Sequence, residues 1–100
     1  MIASGSSDNS IKIWDLESGE CISTLRGHKS NVRSVCFSYD GSLIVSGSID
    51  KTIKIWNTYL GECINILIGH ESYVNSVCFN FDSNLILSGS RSSTVSINMN

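Results

Sequence analysis

Three kinds of residue in this chain could do chemistry. His28, a strand serine (Ser46, or Ser48 two residues on) and Asp50 supply the side chains of a Ser-His-Asp hydrolase. Composition permits that reading, and geometry has to decide it, because such a triad is recognised by the mutual reach of its groups rather than by their order. The four cysteines, Cys21, Cys36, Cys63 and Cys78, are separated by intervals of 15, 27 and 15. None is a Cys-x-x-Cys spacing of the zinc type, so buried, reduced thiols are expected. His28 and His70 are the only histidines, far short of a metal-binding set. The Ser-Gly-Ser stretches read as strand interior followed by another strand, whereas a phosphate-cradling loop opens a helix. No catalytic, cofactor or metal site is expected on these grounds, and the chain is expected not to be an enzyme.

Positioning these residues is the work of short strands. Ser supplies 20 and Ile 13 of the 100 residues, Ala3 is the only alanine, and there is no proline. Helix-favouring residues are scarce and β-branched ones abundant, which predicts an all-β fold. The apolar runs place strands near 2–6, 10–15, 20–25, 32–38, 43–48, 52–57, 62–68, 74–80, 85–90 and 94–99. Between them stand turn residues such as Asp8-Asn9, Ser18-Gly19 and Asp40-Gly41.

The strands repeat. A shift of 42 residues lays Ser4-Gly5-Ser6 on Ser46-Gly47-Ser48 and Ser88-Gly89-Ser90, and Ile11-Lys12-Ile13-Trp14 on Ile53-Lys54-Ile55-Trp56. It also lays Gly19-Glu20-Cys21-Ile22 on Gly61-Glu62-Cys63-Ile64 and Ser34-Val35-Cys36-Phe37 on Ser76-Val77-Cys78-Phe79. Of 58 positions paired in this way, 30 are identical without a gap. Four short strands joined by tight turns, repeated in this way, describe the blades of a propeller.

The residues that recur resemble a known family. Gly27-His28, Val32, Val35, Phe37, Asp40-Gly41, Ser46-Gly47-Ser48, Asp50 and Thr52-Ile53-Lys54-Ile55-Trp56 look like a WD repeat (the β-transducin type), and the likeness covers essentially the whole chain. The resemblance implies a partial β-propeller over residues 1–100, with four-stranded antiparallel blades. Residues 2–25 would form a blade without its innermost strand, 32–68 a complete blade, and 74–99 a blade without its outermost strand. It also implies that His28, a strand serine (Ser46, or Ser48 two residues on), Asp50 and Trp56 form a hydrogen-bonded structural tetrad. The physics agrees, since Asp can accept from imidazole, imidazole from hydroxyl, and hydroxyl from the indole N–H. In the third copy Ser92 stands in place of the Asp and Asn98 in place of the Trp, so that unit is expected to be less stable from residue 91 onward.

Function is then expected in recognition. Residues that differ between copies while their neighbours match are candidates for partner binding: Ser7, Asn31, Arg33, Ile49, Tyr73, Asn75 and Arg91. They fall in the loops through which WD-repeat propellers bind peptides, with Ile49 as an exposed apolar anchor and Arg33, Tyr73 and Arg91 of the types that dominate hot spots. The expected partner is a protein or peptide. A formal net charge of -2 removes the electrostatic case for nucleic acid, and no apolar run reaches the ~20 residues of a membrane helix. No secretory leader is evident after Met1, so cytoplasm or nucleus is the expected location. Trp14-Asp15-Leu16-Glu17 carries Glu where the adaptor-recruiting Trp-Asp-x-Arg motif of some members has Arg. At about 2.4 repeats, the length predicts further blades from the same or another chain; the alternative is a truncated fragment without independent function.

Overall fold

Ile, Val and Thr crowd the segments that form strands, and the short polar stretches between them turn the chain back on itself. A computed structural model describes residues 1–68, 70, 72–80, 85–90 and 94–98. Ten strands run in order: β1 Ile2–Gly5, β2 Ser10–Trp14, β3 Cys21–Arg26, β4 Val32–Phe37, β5 Leu43–Ser48, β6 Thr52–Asn57, β7 Glu62–Ile68, β8 Val74–Phe79, β9 Leu85–Ser90 and β10 Thr94–Asn98. No helix occurs among the described residues. Every expected strand is present, with ends shifted by no more than one residue.

All pairings are antiparallel. The strands form three sheets, in the orders β1-β2-β3, β4-β5-β6-β7 and β10-β9-β8. This is an all-β architecture of the partial propeller kind. The turns at β1–β2 and β5–β6 place Asn9 and Lys51 at φ of 74° and 73°. Asn tolerates that left-handed region better than Lys, which makes Lys51 the more strained of the pair.

Two apolar layers separate the sheets. Ile11, Ile13 and Leu25 of the first sheet pack with Val32, Ile44 and Trp56 of the second. Val45, Ile53 and Ile55 of the second pack with Val74, Val77 and Ile86 of the third. The inner strands of the central sheet are therefore packed on both faces, while its edge strand β7 is largely exposed, and β5 alternates between the layers: Ile44 serves one and Val45 the other.

The recurring glycine of Ser-Gly-Ser has a steric reason. A Cβ on Gly5 would lie 2.7 Å from Val32 Cγ1, and one on Gly47 would lie 2.5 Å from Val74 Cγ1. Each glycine thus receives the first valine of the next sheet's leading strand. Real Cβ atoms do not come that close, so any larger residue would push the sheets apart.

Candidate functional site

The four residues of the expected tetrad come together in the central sheet. His28 sits in the loop between β3 and β4, Ser46 within β5, Asp50 in the β5–β6 turn and Trp56 near the end of β6. His28 Nδ1 lies 2.9 Å from Asp50 Oδ2, and His28 Nε2 lies 2.6 Å from Ser46 Oγ. The Trp56 indole N–H donates to the same Ser46 oxygen at 2.9 Å. A neutral imidazole protonated on Nδ1 satisfies every group: Nδ1–H donates to the carboxylate, Ser46 O–H donates to Nε2, and the indole donates to Ser46. Of the two serines left open by the sequence, Ser46 joins His28 and Trp56. The Ser48 hydroxyl instead donates toward the carbonyls of Ser30 and Asn31, at 3.1 and 2.9 Å, and accepts the Asp50 amide at 3.1 Å.

The order Ser–His–Asp reproduces the connectivity of a hydrolase triad, but the nucleophile is sealed. Ser46 is fully buried, and its oxygen is occupied by an indole donor of a Trp56 side chain that is itself 1% exposed. No scissile carbonyl could approach that hydroxyl without unfolding the sheet. Burial pushes the His28 imidazole below its ordinary pKa despite the hydrogen bond and charge of Asp50, which raise it. For Asp50, burial raises the pKa, but hydrogen bonds from the Thr52 side chain, the Lys29 amide and His28 outweigh it and hold the carboxyl below the usual range. Neutral imidazole and ionised carboxylate are the states these bonds require.

Among the described residues the neighbouring copies show part of this network. In the first sheet Trp14 donates to Ser4 Oγ at 3.0 Å, and Asp8 accepts from Ser10 and its amide. Those bonds, with Ser10 first, hold the exposed Asp8 carboxyl down to about 2. Trp14 is only half buried. In the third sheet His70 Nε2 lies 2.7 Å from Ser88 Oγ, while the buried Nδ1 has no partner among the described residues. The expected loss of stability from residue 91 falls largely on 91–93 and 99–100, which lie outside the described residues.

The β1–β2 and β5–β6 turns and the loops entering β4 and β8 lie at one end of the sheets. Most of the candidate binding residues are here. Ser7 is exposed in the β1–β2 turn, and the neighbouring Ser6 carbonyl accepts the Val32 amide at 3.2 Å. Asn31 is half buried, and its carbonyl accepts the Ile49 amide at 3.0 Å. Ile49 departs from expectation: it is half buried rather than exposed, because that bond draws the turn against the loop entering β4. Tyr73 is 49% exposed at the entrance to β8. Arg91 lies outside the described residues.

Arg33 and Asn75 share a feature that the sequence does not signal. The β4–β5 register passes from Val32↔Ser48 to Ser34↔Gly47, and the β8–β9 register from Val74↔Ser90 to Ser76↔Gly89. Each skips one residue, so Arg33 and Asn75 are the extra residues of two β-bulges, and both are exposed. Bulges re-aim side chains, and these two occur at matching positions of consecutive sheets.

Arg26, Lys29, Arg33 and Lys51 are exposed at or beside this end, where the carboxylates of Asp8 and Asp50 also lie, whereas among the described residues the charges flanking the turns at the opposite end are the acids Asp15, Glu17, Glu20, Asp40 and Glu62. Along the sequence the same cations look scattered.

The cysteines require a correction. All four are free thiols, but Cys21, Cys63 and Cys78 are exposed and Cys36 is half buried. Cys21 and Cys63 stand on the outer strands β3 and β7, where one side meets solvent. Cys36 packs against the layer between the second and third sheets, while its counterpart Cys78 faces away from that layer. No group of three or more His, Cys, Asp or Glu that could hold a metal occurs among the described residues.

Comparison with known proteins agrees with this architecture. The chain matches the family described as "WD domain, G-beta repeat" over residues 1–15, 19–57 and 61–97. It is 44% identical over 45 residues to the nuclear distribution protein PAC1-2 of Uncinocarpus reesii, covering 45% of this chain and 10% of that protein. Over 44 residues it is 46% identical to the nuclear distribution protein PAC1 of Mycosarcoma maydis, covering 44% and 10%. Over 41 residues it is 51% identical to the F-box-like/WD repeat-containing protein TBL1X of Mus musculus, covering 41% and 8%. The aligned part thus spans no more than a tenth of these relatives. Such repeats generally serve protein interaction rather than catalysis. With the repeat, the blade-like sheets and the matched segments in agreement, the chain belongs to the WD-repeat family.

Proposed function

We propose that this chain is a protein-interaction scaffold that takes a peptide or protein partner on the loops at the end carrying Ser7, Asn31, Arg33, Ile49, Tyr73 and Asn75. One observation carries the reading. At this end Asn31, Arg33, Ile49, Tyr73 and Asn75 differ from their counterparts in other copies while residues beside them match, and they stand on a frame of buried residues that recur. Ile11, Ile13, Ser46, Val32 and Val74 belong to that frame, while Arg33, Asn75 and Tyr73 project from it. In this reading the His28–Ser46–Asp50–Trp56 network is a structural clamp: it ties the loop before β4 to the β5–β6 turn. Recognition from a frame already ordered loses little conformational entropy on binding.

The setting is intracellular, in cytoplasm or nucleus. Four free thiols, three of them exposed, persist where the environment is reducing. The test is affinity capture from extracts with the native chain and with a triple Arg33→Ala, Ile49→Ala, Tyr73→Ala variant, both checked for native β-sheet signal. Loss of captured proteins in the variant supports the loop end. An unchanged set of captured proteins removes it.

A further inference from the structure

Strand β7 forms one edge of the central sheet, so one side of its backbone has no ladder partner in that sheet. Its counterpart in the first sheet is β3, and a shift of 42 sets Thr24 on Ile66 and Arg26 on Ile68. Polar and charged residues commonly guard an edge, and β3 follows that habit. β7 does the reverse. Ile66 is 48% exposed and Ile68 81% exposed.

The cross-strand partners of Ile66 and Ile68 on β6 are Lys54 and Thr52, which puts all four side chains on one face. Gly27 and Lys29, from the loop between β3 and β4, complete with Asp50 a pocket of about 240 Å3 against that face. Gly27 packs closely there: a Cβ would come within 3.1 Å of the Trp56 ring, so the ring would have to give way slightly. The pocket holds one acid, yet its charge is engaged. Asp50 accepts from the Thr52 hydroxyl and amide and the Lys29 amide, and it faces His28. The ammonium groups of Lys29 and Lys54 have no ion-pair partner among the described residues. Two uncompensated cations beside two uncovered isoleucines call for a carboxylate flanked by apolar groups. Every wall of the pocket comes from β3–β4 and β5–β7, so its chemistry does not depend on any further sheet.

We propose that β7 and this pocket dock an extended acidic–apolar peptide segment. Its main chain adds to the free edge of β7, its carboxylate lies between Lys29 and Lys54, and its neighbouring apolar side chains cover Ile66 and Ile68. This site rests on the interaction-scaffold reading but uses a surface separate from the Arg33, Ile49 and Tyr73 positions.

The test is fluorescence anisotropy with a labelled nine-residue peptide in which valine alternates with serine and glutamate replaces the central valine. Saturable, salt-sensitive binding is expected. It should weaken about tenfold or more in Ile66→Thr/Ile68→Thr, which removes the apolar cover without adding a charge and keeps β-branched residues that suit a strand. The same loss is expected when the peptide glutamate becomes glutamine. Equal binding of the glutamine peptide, or an unchanged affinity in the double variant, overturns the proposal. So does the absence of peptide binding together with self-association abolished by the same double variant, which would assign the edge to a second copy. The Arg33→Ala, Ile49→Ala, Tyr73→Ala variant should bind the peptide as the native chain does, so failure of the loop site and failure of this one are told apart.

Discussion

Replacing Ser46 by alanine isolates the energetic role of the buried network. One atom, Ser46 Oγ, is shared by the His28 imidazole at 2.6 Å and the Trp56 indole at 2.9 Å. Its removal leaves an indole N–H and an imidazole nitrogen without their partner, both in side chains that are almost wholly buried. An unsatisfied buried group costs about 1–3 kcal/mol, so two such groups give about 2–6 kcal/mol, with about 3 kcal/mol expected after local relaxation. The repeat supplies its own control. Ser4 occupies the same place in the first sheet, but it accepts only the Trp14 indole, at 3.0 Å, and Trp14 is half buried. Water can reach that indole, so Ser4→Ala is expected to cost about 0.5–1 kcal/mol. Urea unfolding followed by tryptophan fluorescence, in a Trp14→Phe background for the Ser46 series, reads the difference directly. If Ser46→Ala destabilises no more than Ser4→Ala does, the network is not a clamp and the argument from burial fails.

Other outcomes follow from the same geometry. Gly47→Ala is expected to cost about 1–3 kcal/mol, because its Cβ would strike Val74 and Val77, while Gly89→Ala, with nothing within 4 Å among the described residues, is expected to stay within about 0.5 kcal/mol; denaturant midpoints compare the two. Stability is expected to fall as pH drops from 7.5 to 5.5. The His28 pKa is lowered by folding from an ordinary 6.5, so below that value the unfolded chain binds a proton that the folded chain refuses. A midpoint that is flat across this range, or a His28→Gln variant with the same slope, contradicts that sign. Replacing Ser92, the residue 42 positions after Asp50, by aspartate is expected to add about 1 kcal/mol by offering His70 Nδ1 an acceptor, as a shift in thermal or urea midpoint would show.

Much of the frame was legible because the 42-residue repeat compares the chain with itself. Trp14 over Trp56 and Gly5 over Gly47 mark positions where packing dictates the residue, and the strands follow from alternation and turn chemistry. The tetrad's members could be named, but the choice between Ser46 and Ser48 depended on which hydroxyl faces the indole, a matter of register. Exposure was the least legible property. Cys36 and Cys78 have the same local sequence, yet one meets a packed layer and the other faces away from it, and no residue near either reports that difference. Ile49 failed for a similar reason, since its burial follows from an amide bond to the Asn31 carbonyl 18 positions earlier. The pocket beside β7 was hidden because it joins Gly27 and Lys29 to Ile66 and Ile68 across the interval between two copies. Only the exchange of Thr24 and Arg26 for Ile66 and Ile68 hinted at it.

The glycine that receives a valine has a consequence beyond packing. Val32 enters the gap at Gly5, and Val74 enters the same gap one copy later at Gly47. Each copy therefore carries both halves of its fastening at fixed places, a projection at its start and a recess at its centre. Any copy can follow any other without a new junction being invented. Gain or loss of a whole 42-residue unit during the history of such a gene leaves every remaining joint as it was. Copy number can drift while the loops are tuned one at a time, and the architecture is open to tinkering by duplication in a way that a single irreducible core is not.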